Sequence, residues 1–249
     1  MTIKVERNPV KVSVIMVAYN VEPNIDEAIR SVLTQQGVPF ELLIGYDPSS
    51  DGTWARIQPY RKDPRVRVWR FRIHRSIGAV RKRLIAHARG KYLSICDPDD
   101  LMLPGNLKTL TRVLDRDRQV GIACGDIGVT NAATGLGRIK KEVDLLGPAE
   151  GWDLINGIRG FRHGSLMRRR LVLQVGGYRE DVLLGEDYDL LLRLAEVTRF
   201  AALRGRPLYC WRRRWTSVTH RISRAKTHAV LKGILRTAIL RRYGYRVPW

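Results

Sequence analysis

Residues Val12 to Ala18 read VSVIMVA. Ser13 is the only polar residue in the run, and several of the others are β-branched. A strand with no polar face must be covered on both sides, and such strands belong to parallel sheets with helices above and below. The next residues supply the covering. Asn24 reads as a helix cap, with Asp26 and Glu27 in the first turn. Ile25, Ala28, Ile29, Val32 and Leu33 keep helical spacing, and Gly37 and Pro39 end the segment. The pattern then repeats. A second strand is predicted from Phe40 to Tyr46, a helix from Thr53 to Tyr60, a strand from Val66 to Phe71 and a helix from Ile77 to Ala88. Alternation of this kind predicts an α/β fold, a single domain whose mostly parallel central sheet is flanked by helices and joined by right-handed crossovers. At 249 residues the chain is long enough to bury a substantial core.

The next strand ends differently. Tyr92 to Pro104 reads YLSICDPDDLMLP, an apolar run that stops at Asp97, Pro98, Asp99 and Asp100. Proline cannot donate to a sheet ladder, so the strand closes where the acids begin. Carboxylates this close raise one another's pKa unless a cation neutralises them. Mg²⁺ or Mn²⁺ suits such a site, since each prefers oxygen ligands and takes one or two carboxylates plus substrate phosphates. A solvated turn capping the helix from Asn106 to Leu114 is the plainer reading of the same residues. Convergence favours a site. In parallel sheets ligands bind outside the C-terminal ends of the strands. The first strand delivers Tyr19 and Asn20 there, the second Asp47 and Asp51, and the acidic strand Asp97, Asp99 and Asp100.

The turn after the first strand, AYNVEPN, has no glycine, and no GxxxxGK[ST] motif occurs. Backbone cradling of a diphosphate is therefore not expected, and basic side chains must help instead. Arg81, on the helix entering the acidic strand, is one candidate. The chain has basic residues to spare: its net charge is +21, which calls for an anionic partner such as a phosphorylated substrate, an anionic lipid or nucleic acid. Cys96, Cys124 and Cys210 form no CxxC pair, which disfavours thiolate metal sites and a disulfide framework and fits a reducing, cytoplasmic compartment. No apolar run is long enough to span a bilayer, and the first residues lack a signal-peptide core.

The second half reads less regularly. A strand is expected at Val120 to Cys124, a long loop over the site from Thr130 to Gly160, and a returning strand at Gly164 to Met167. Trp152, Phe161 and His163 have side chains suited to stacking on a sugar or lipid, and equally to ordinary packing. Glu186 and Asp187 lead a helix with Leu190, Leu191 and Leu194 inward; acids there are ordinary partners of a helix dipole. After Ser223 one helix is predicted to about Tyr243. Val230, Leu231, Ile234, Leu235, Ala238 and Ile239 form its apolar stripe, with Lys226, Lys232, Arg236, Arg241 and Arg242 mostly outside it. Such a helix lies in the interface of an anionic membrane, packs on the protein itself, or pairs two subunits in a homodimer.

These segments together resemble a family-2 glycosyltransferase of the GT-A fold. VSVIMVAYN is similar to the family's first strand and nucleotide-contacting turn, and FELLIGYDPSSDGT to its second strand and DGS-x-DGT loop. The run from Gly78 through Arg81 to Gly90 and Tyr92 resembles the helix whose arginine lies near the donor. DPDDLMLP resembles the DxD metal motif, and GEDYDLLLRL, Gly185 to Leu194, the ED motif that carries the catalytic base. The resemblance runs from about Val10 to Tyr209. It implies a nucleoside-diphosphate sugar, a UDP-sugar, as donor, with Asp47 and Tyr19 at the base, Asn20 and Arg81 nearby, and Asp97 and Asp99 at the ribose and at a Mn²⁺ or Mg²⁺ ion. Asp187 becomes the catalytic base, with Glu186, Trp152 and His163 on the acceptor side.

The sequence departs from the family in two places. One acid, Asp47, follows Tyr46 where the family often has two, and RRRWTSVTH has arginine where a metal-binding histidine is common, with His220 as a substitute. The expected organisation is a nucleotide-sugar-binding half at 10–105, an acceptor-binding half with the base at 106–222, and the basic tail at 223–249. The expected activity is metal-dependent, inverting transfer of a hexose to a glycan or lipid-linked acceptor hydroxyl, in the cytoplasm and peripherally at the inner face of the membrane. Two other classes share some of these features. A nucleic-acid-binding protein would account for the charge but shows no recognition motif. A nucleotidyltransferase would use the same sheet but lacks the Gly-rich, lysine-containing loop.

Overall fold

The computed structural model describes residues 9–131, 137–140, 164–213 and 224–244. Seven successive elements follow the predicted alternation: β1 (Val12–Ala18), α1 (Glu22–Leu33), β2 (Phe40–Tyr46), α2 (Thr53–Ile57), β3 (Val66–Arg70), α3 (Ile77–Ala86) and β4 (Tyr92–Ile95). The second half contributes β5 (Leu101–Met102), α4 (Asn106–Arg116), β6 (Val120–Asn131), β7 (Gly137–Lys140), β8 (Leu166–Arg168), α5 (Arg169–Gln174), α6 (Glu186–Ala195), β9 (Arg199–Arg213) and α7 (Arg224–Tyr243). Among the described residues the strands form one sheet in the order β3-β2-β1-β4-β8-β6-β9-β5, with β7 paired to β6.

The sheet is mixed but mostly parallel by paired length. β1 runs parallel to β2 and β4, β2 to β3, and the long strands β6 and β9 to each other. β8 is antiparallel between β4 and β6, and β5 is antiparallel on β9. The apolar run of β1 now has its explanation. Val12, Val14, Met16 and Ala18 pack to one side with α1 and α4 residues such as Ile25, Ile29, Leu107 and Leu110. Ile15 packs to the other side with Val80, Leu84 and the α6 residues Leu191 and Leu194. The fold is a single α/β domain with helices on both faces of its sheet.

Some boundaries differ from the sequence-based expectation, each for a local reason. α1 starts at Glu22 rather than after Asn24, because its first amides are capped from another loop. The Val21 amide donates to Thr53 Oγ1 (2.9 Å) and the Glu22 amide to Asp51 Oδ2 (3.0 Å). Pro23 then sits in the first turn, where a missing N–H costs nothing. α2 stops at Ile57 and gives way to a 3₁₀ turn at Gln58–Lys62 that contains Pro59. β6 extends to Asn131, well beyond Cys124, because β9 pairs along its length. The tail helix covers Arg224–Tyr243, as its apolar spacing predicts. No helix among the described residues is long and apolar enough to cross a membrane.

Candidate active site

The acidic turn leaves β4 and is held in place by β9. Within it the Asp100 amide donates to the Asp97 carbonyl (3.1 Å). The Asp97 amide donates to the hydroxyl of Tyr209 (3.0 Å), and that hydroxyl also hydrogen-bonds Asp100. Asp100 is almost completely buried and accepts the Arg212 amide at 2.9 Å. Burial, reinforced by the neighbouring Asp97 and Asp99, pushes its carboxyl well above the usual range. The three acids therefore divide: Asp100 points inward as a structural group, and Asp97 and Asp99 stay half-buried at the surface.

Arg81 connects this turn to the start of α6. Its guanidinium donates to Asp97 Oδ1 and to Glu186 Oε1, each at 2.8 Å, and lies 5.2 Å from the ring centre of Tyr178. Arg81 is 5% exposed, so its charge is matched by two carboxylates and an aromatic face rather than by solvent. This arginine, expected near the donor, is bonded to Asp97 and Glu186. Glu186, expected on the acceptor side, commits its carboxylate to Arg81. Burial pushes Glu186 up to about 7; Arg81 draws it down and Asp187 adds to the rise. Asp187 is next in sequence and half-buried, with Oδ1 accepting the Tyr188 amide at 2.7 Å. Asp97, Glu186 and Asp187 all act electrostatically on Arg81, so the acidic turn and the start of α6 share one charged centre.

The ends of β1 and β2 form the other part of the site. The Asp47 amide donates to the Ala18 carbonyl (2.9 Å), which joins the two strand ends. Asp47 is 2% exposed. Its carboxylate accepts the Arg75 amide at 3.2 Å and pairs with Nδ1 of His74. His74 in turn lies against Tyr19, ring centres 4.5 Å apart. Tyr19 is 43% exposed. Asn20 has a positive φ of 49°. Its amide donates to Ser49 Oγ and its side-chain oxygen accepts the Ser50 amide, so it staples the two loops together. Asp51, one of the acids delivered by the second strand, is used to cap α1 and α2. Burial raises its pKa, but bonds from Thr53 and from the Glu22 and Thr53 amides outweigh that and hold it low.

Trp152, His163, Phe161 and His220 lie outside the described residues. Four residues of the site were not anticipated: His74, Tyr178, Tyr209 and Arg212. Arg212 donates from Nε to the Asp99 carbonyl (2.6 Å), and its guanidinium pairs with Glu27 of α1. Its partners lie more than a hundred positions away in sequence, and local pattern carries no trace of them. His74 had a local signal, a histidine just ahead of the helix cap Ser76.

Asp97 and Asp99 are a donor set suited to a hard divalent cation. Among the described residues no group of three or more His, Cys, Asp or Glu side chains is placed to hold a metal alone. The two carboxylates fit an ion that takes its remaining ligands from water and a substrate diphosphate.

The profile of the family described as Glycosyl transferase family 2 matches residues 13–175. The putative glycosyltransferase EpsE of Bacillus subtilis is 31% identical over 198 residues, covering 75% of this chain and 67% of that protein. The succinoglycan biosynthesis protein ExoU of Rhizobium meliloti is 33% identical over 207 residues, covering 77% and 59%. The chain spans between 22% and 67% of the length of these and two further curated relatives. Among solved structures, S. aureus TarS 1-349 in complex with UDP-GlcNAc superposes with a TM-score of 0.77 at 20% identity, over 94% of this chain and 67% of that one.

Proposed function

Because the chain belongs to glycosyl transferase family 2, an enzyme family, we propose that it moves a sugar from a UDP-sugar to an acceptor hydroxyl with inversion. The observation that carries this reading is the Arg81 bridge, which bonds Asp97 of the strand-end turn to Glu186, the neighbour of Asp187. Asp47, linked to Tyr19 through His74, is the base-binding end. A buried carboxylate is an acceptor, and it suits a nucleobase that presents an N–H, as uracil does. TarS was solved with UDP-GlcNAc, and that likeness supports the choice of UDP.

Asp97 and Asp99 would hold Mn²⁺ or Mg²⁺, which supplies positive charge to the diphosphate as it leaves. Asp187 acts as general base. It takes the proton of the acceptor hydroxyl while that oxygen bonds to the anomeric carbon and the bond from that carbon to the diphosphate oxygen breaks. A single displacement from the opposite face inverts the anomeric centre and releases UDP. Arg81 and Glu186 set the position of Asp97 and of the base. Relatives such as ExoU act in polysaccharide synthesis, and a glycan or lipid-linked sugar is the proposed acceptor class.

The test is Asp187→Asn, which keeps size and shape but cannot take a proton. UDP affinity should stay within about twofold while transfer falls by roughly two or more orders of magnitude. Transfer within a few-fold of wild type would remove Asp187 from the role of base.

A further inference from the structure

α7 follows the last strand of the sheet and lies beyond the residues matched by the family profile. Its sequence stripe was open to a membrane, a partner or the protein itself. The structure lays it on α6. Leu235 and Ala238 are buried, and Leu231 and Ile234 pack against the same core cluster as Tyr188, Leu191 and Leu194. Contact runs from one end of α6 to the other. At the far end Arg241 makes a forked pair with Glu196, the residue that caps α6, at 2.6 to 3.0 Å. At the near end Leu231 and Ile234 close on Gly185, the N-cap of α6, which adopts a left-handed φ of +78°. A Cβ on Gly185 would stand 3.0 Å from Leu231 Cδ2 and 3.2 Å from Ile234 Cδ1. The two helices run in the same direction, side by side, for about 15 Å.

The residues that follow Gly185 are Glu186 and Asp187. Glu186 is held from the α3 side by Arg81, at 2.8 Å. Leu231 and Ile234 of α7 lie against Gly185, the residue before it. The first turn of α6 is thus gripped between an ion pair and an apolar contact. A left-handed cap with no side chain of its own has little intrinsic preference for one orientation, so whatever packs on it sets the angle at which the helix starts.

We propose that α7 is a positioning element for the reaction: Leu231 and Ile234, pressed on Gly185, set the placement of Asp187 at the acceptor. This rests on the reading of Asp187 as the base. The tail is then part of the catalytic apparatus by contact, and its apolar stripe is spent on that contact rather than on lipid.

The test uses the full chain with Leu231→Ala and Ile234→Ala combined. It reads hydrogen exchange at the amides of residues 185–189, UDP affinity, and UDP release from the UDP-sugar that the wild-type protein turns over fastest. Exchange in the first turn of α6 should speed up while β1, β2 and β4 stay protected. UDP affinity should hold within about twofold, and kcat should fall about tenfold or more, since a misplacement of about 1 Å can cost that much. The variant Leu231→Met with Ile234→Val should restore both exchange and kcat. Should the double alanine variant fail to fold, Arg241→Gln loosens the exposed end of the same contact, and a smaller change of the same kind is expected. Unchanged exchange at 185–189 with unchanged kcat overturns the proposal, as does a fall in kcat matched by an equal fall in UDP binding. Asp187→Asn in the same assay separates the two ideas. If it keeps full turnover, the base assignment fails. If it loses turnover while the α7 variants keep theirs, only the positioning role of α7 fails.

Discussion

Glu186, beside Asp187, titrates well above the usual carboxylate range. Its carboxyl stands at about 7 in the fold against 4.5 as the ordinary value, mainly because it is buried. Between those two pH values the folded chain holds a proton that the unfolded chain has released. Its contribution to stability is therefore full below about 4.5 and is lost as pH rises through about 7. Melting temperatures taken from pH 5 to 8 should fall across that window for the wild type, and Glu186→Gln should remove that part of the slope. An unchanged slope in the variant would assign the effect elsewhere. Arg81→Met should destabilise the fold by about 3 kcal/mol or more in denaturant titration, since it removes the buried cation that Asp97 and Glu186 share. A loss under about 1 kcal/mol would mean that solvent already screens the trio. Strand ends made Asp47, Asp97 and Asp99 legible in the sequence, whereas Asp187 was singled out only by the family resemblance, since acids at a helix start are ordinary. How the acids divide the work was not legible. Asp100 turns inward onto Arg212 and Tyr209, and Asp51 is absorbed by helix caps. Both outcomes depend on partners from distant segments.

At the scale of elements, β9 organises the acidic turn. Its residues Tyr209 and Cys210 pair with Met102 and Leu101, the Tyr209 hydroxyl takes the Asp97 amide, and Arg212 bonds to the Asp99 carbonyl. Arg212→Gln should thus loosen Asp99 without removing it. The Mn²⁺ concentration needed for half-maximal UDP release should rise by about tenfold, in the range seen when groups that orient metal ligands are lost. A direct Mn²⁺ titration should show the same shift, and equal Mn²⁺ affinity in both proteins would contradict the role. β9 escaped the sequence reading because Gly205, Arg206 and Pro207 interrupt its alternation, and its register against β6 slips at that place. The strands β1, β2 and β4 were legible because burial on both faces leaves room for only one polar residue in each, Ser13, Glu41 and Ser94. The start of α1 was misplaced because its caps come from Asp51 and Thr53 rather than from its own first turn.

At the scale of the whole molecule, the +21 charge and the tail decide what the surface meets. Lys226 and Arg236 are exposed on α7, while Leu235 and Ala238 are buried. Attraction to an anionic membrane would then be electrostatic, with each basic residue contributing on the order of 1 kcal/mol and salt weakening it. The chain should cosediment with anionic vesicles at low salt, leave them at high salt and ignore neutral vesicles. Binding to neutral vesicles would mean that the apolar stripe reaches lipid, against its packing on α6. The helical spacing of the stripe was legible in the sequence, but its partner was not, since periodicity specifies a face and never what covers it. The most direct test of the central claim is a screen of nucleotide-sugars that follows the nucleotide product, with Mn²⁺ and with excess chelator. The account predicts release of UDP from a UDP-sugar, dependent on the metal, abolished by chelator and by Asp99→Ala in a protein that still folds. Release of pyrophosphate instead, or undiminished turnover in excess chelator, would contradict it.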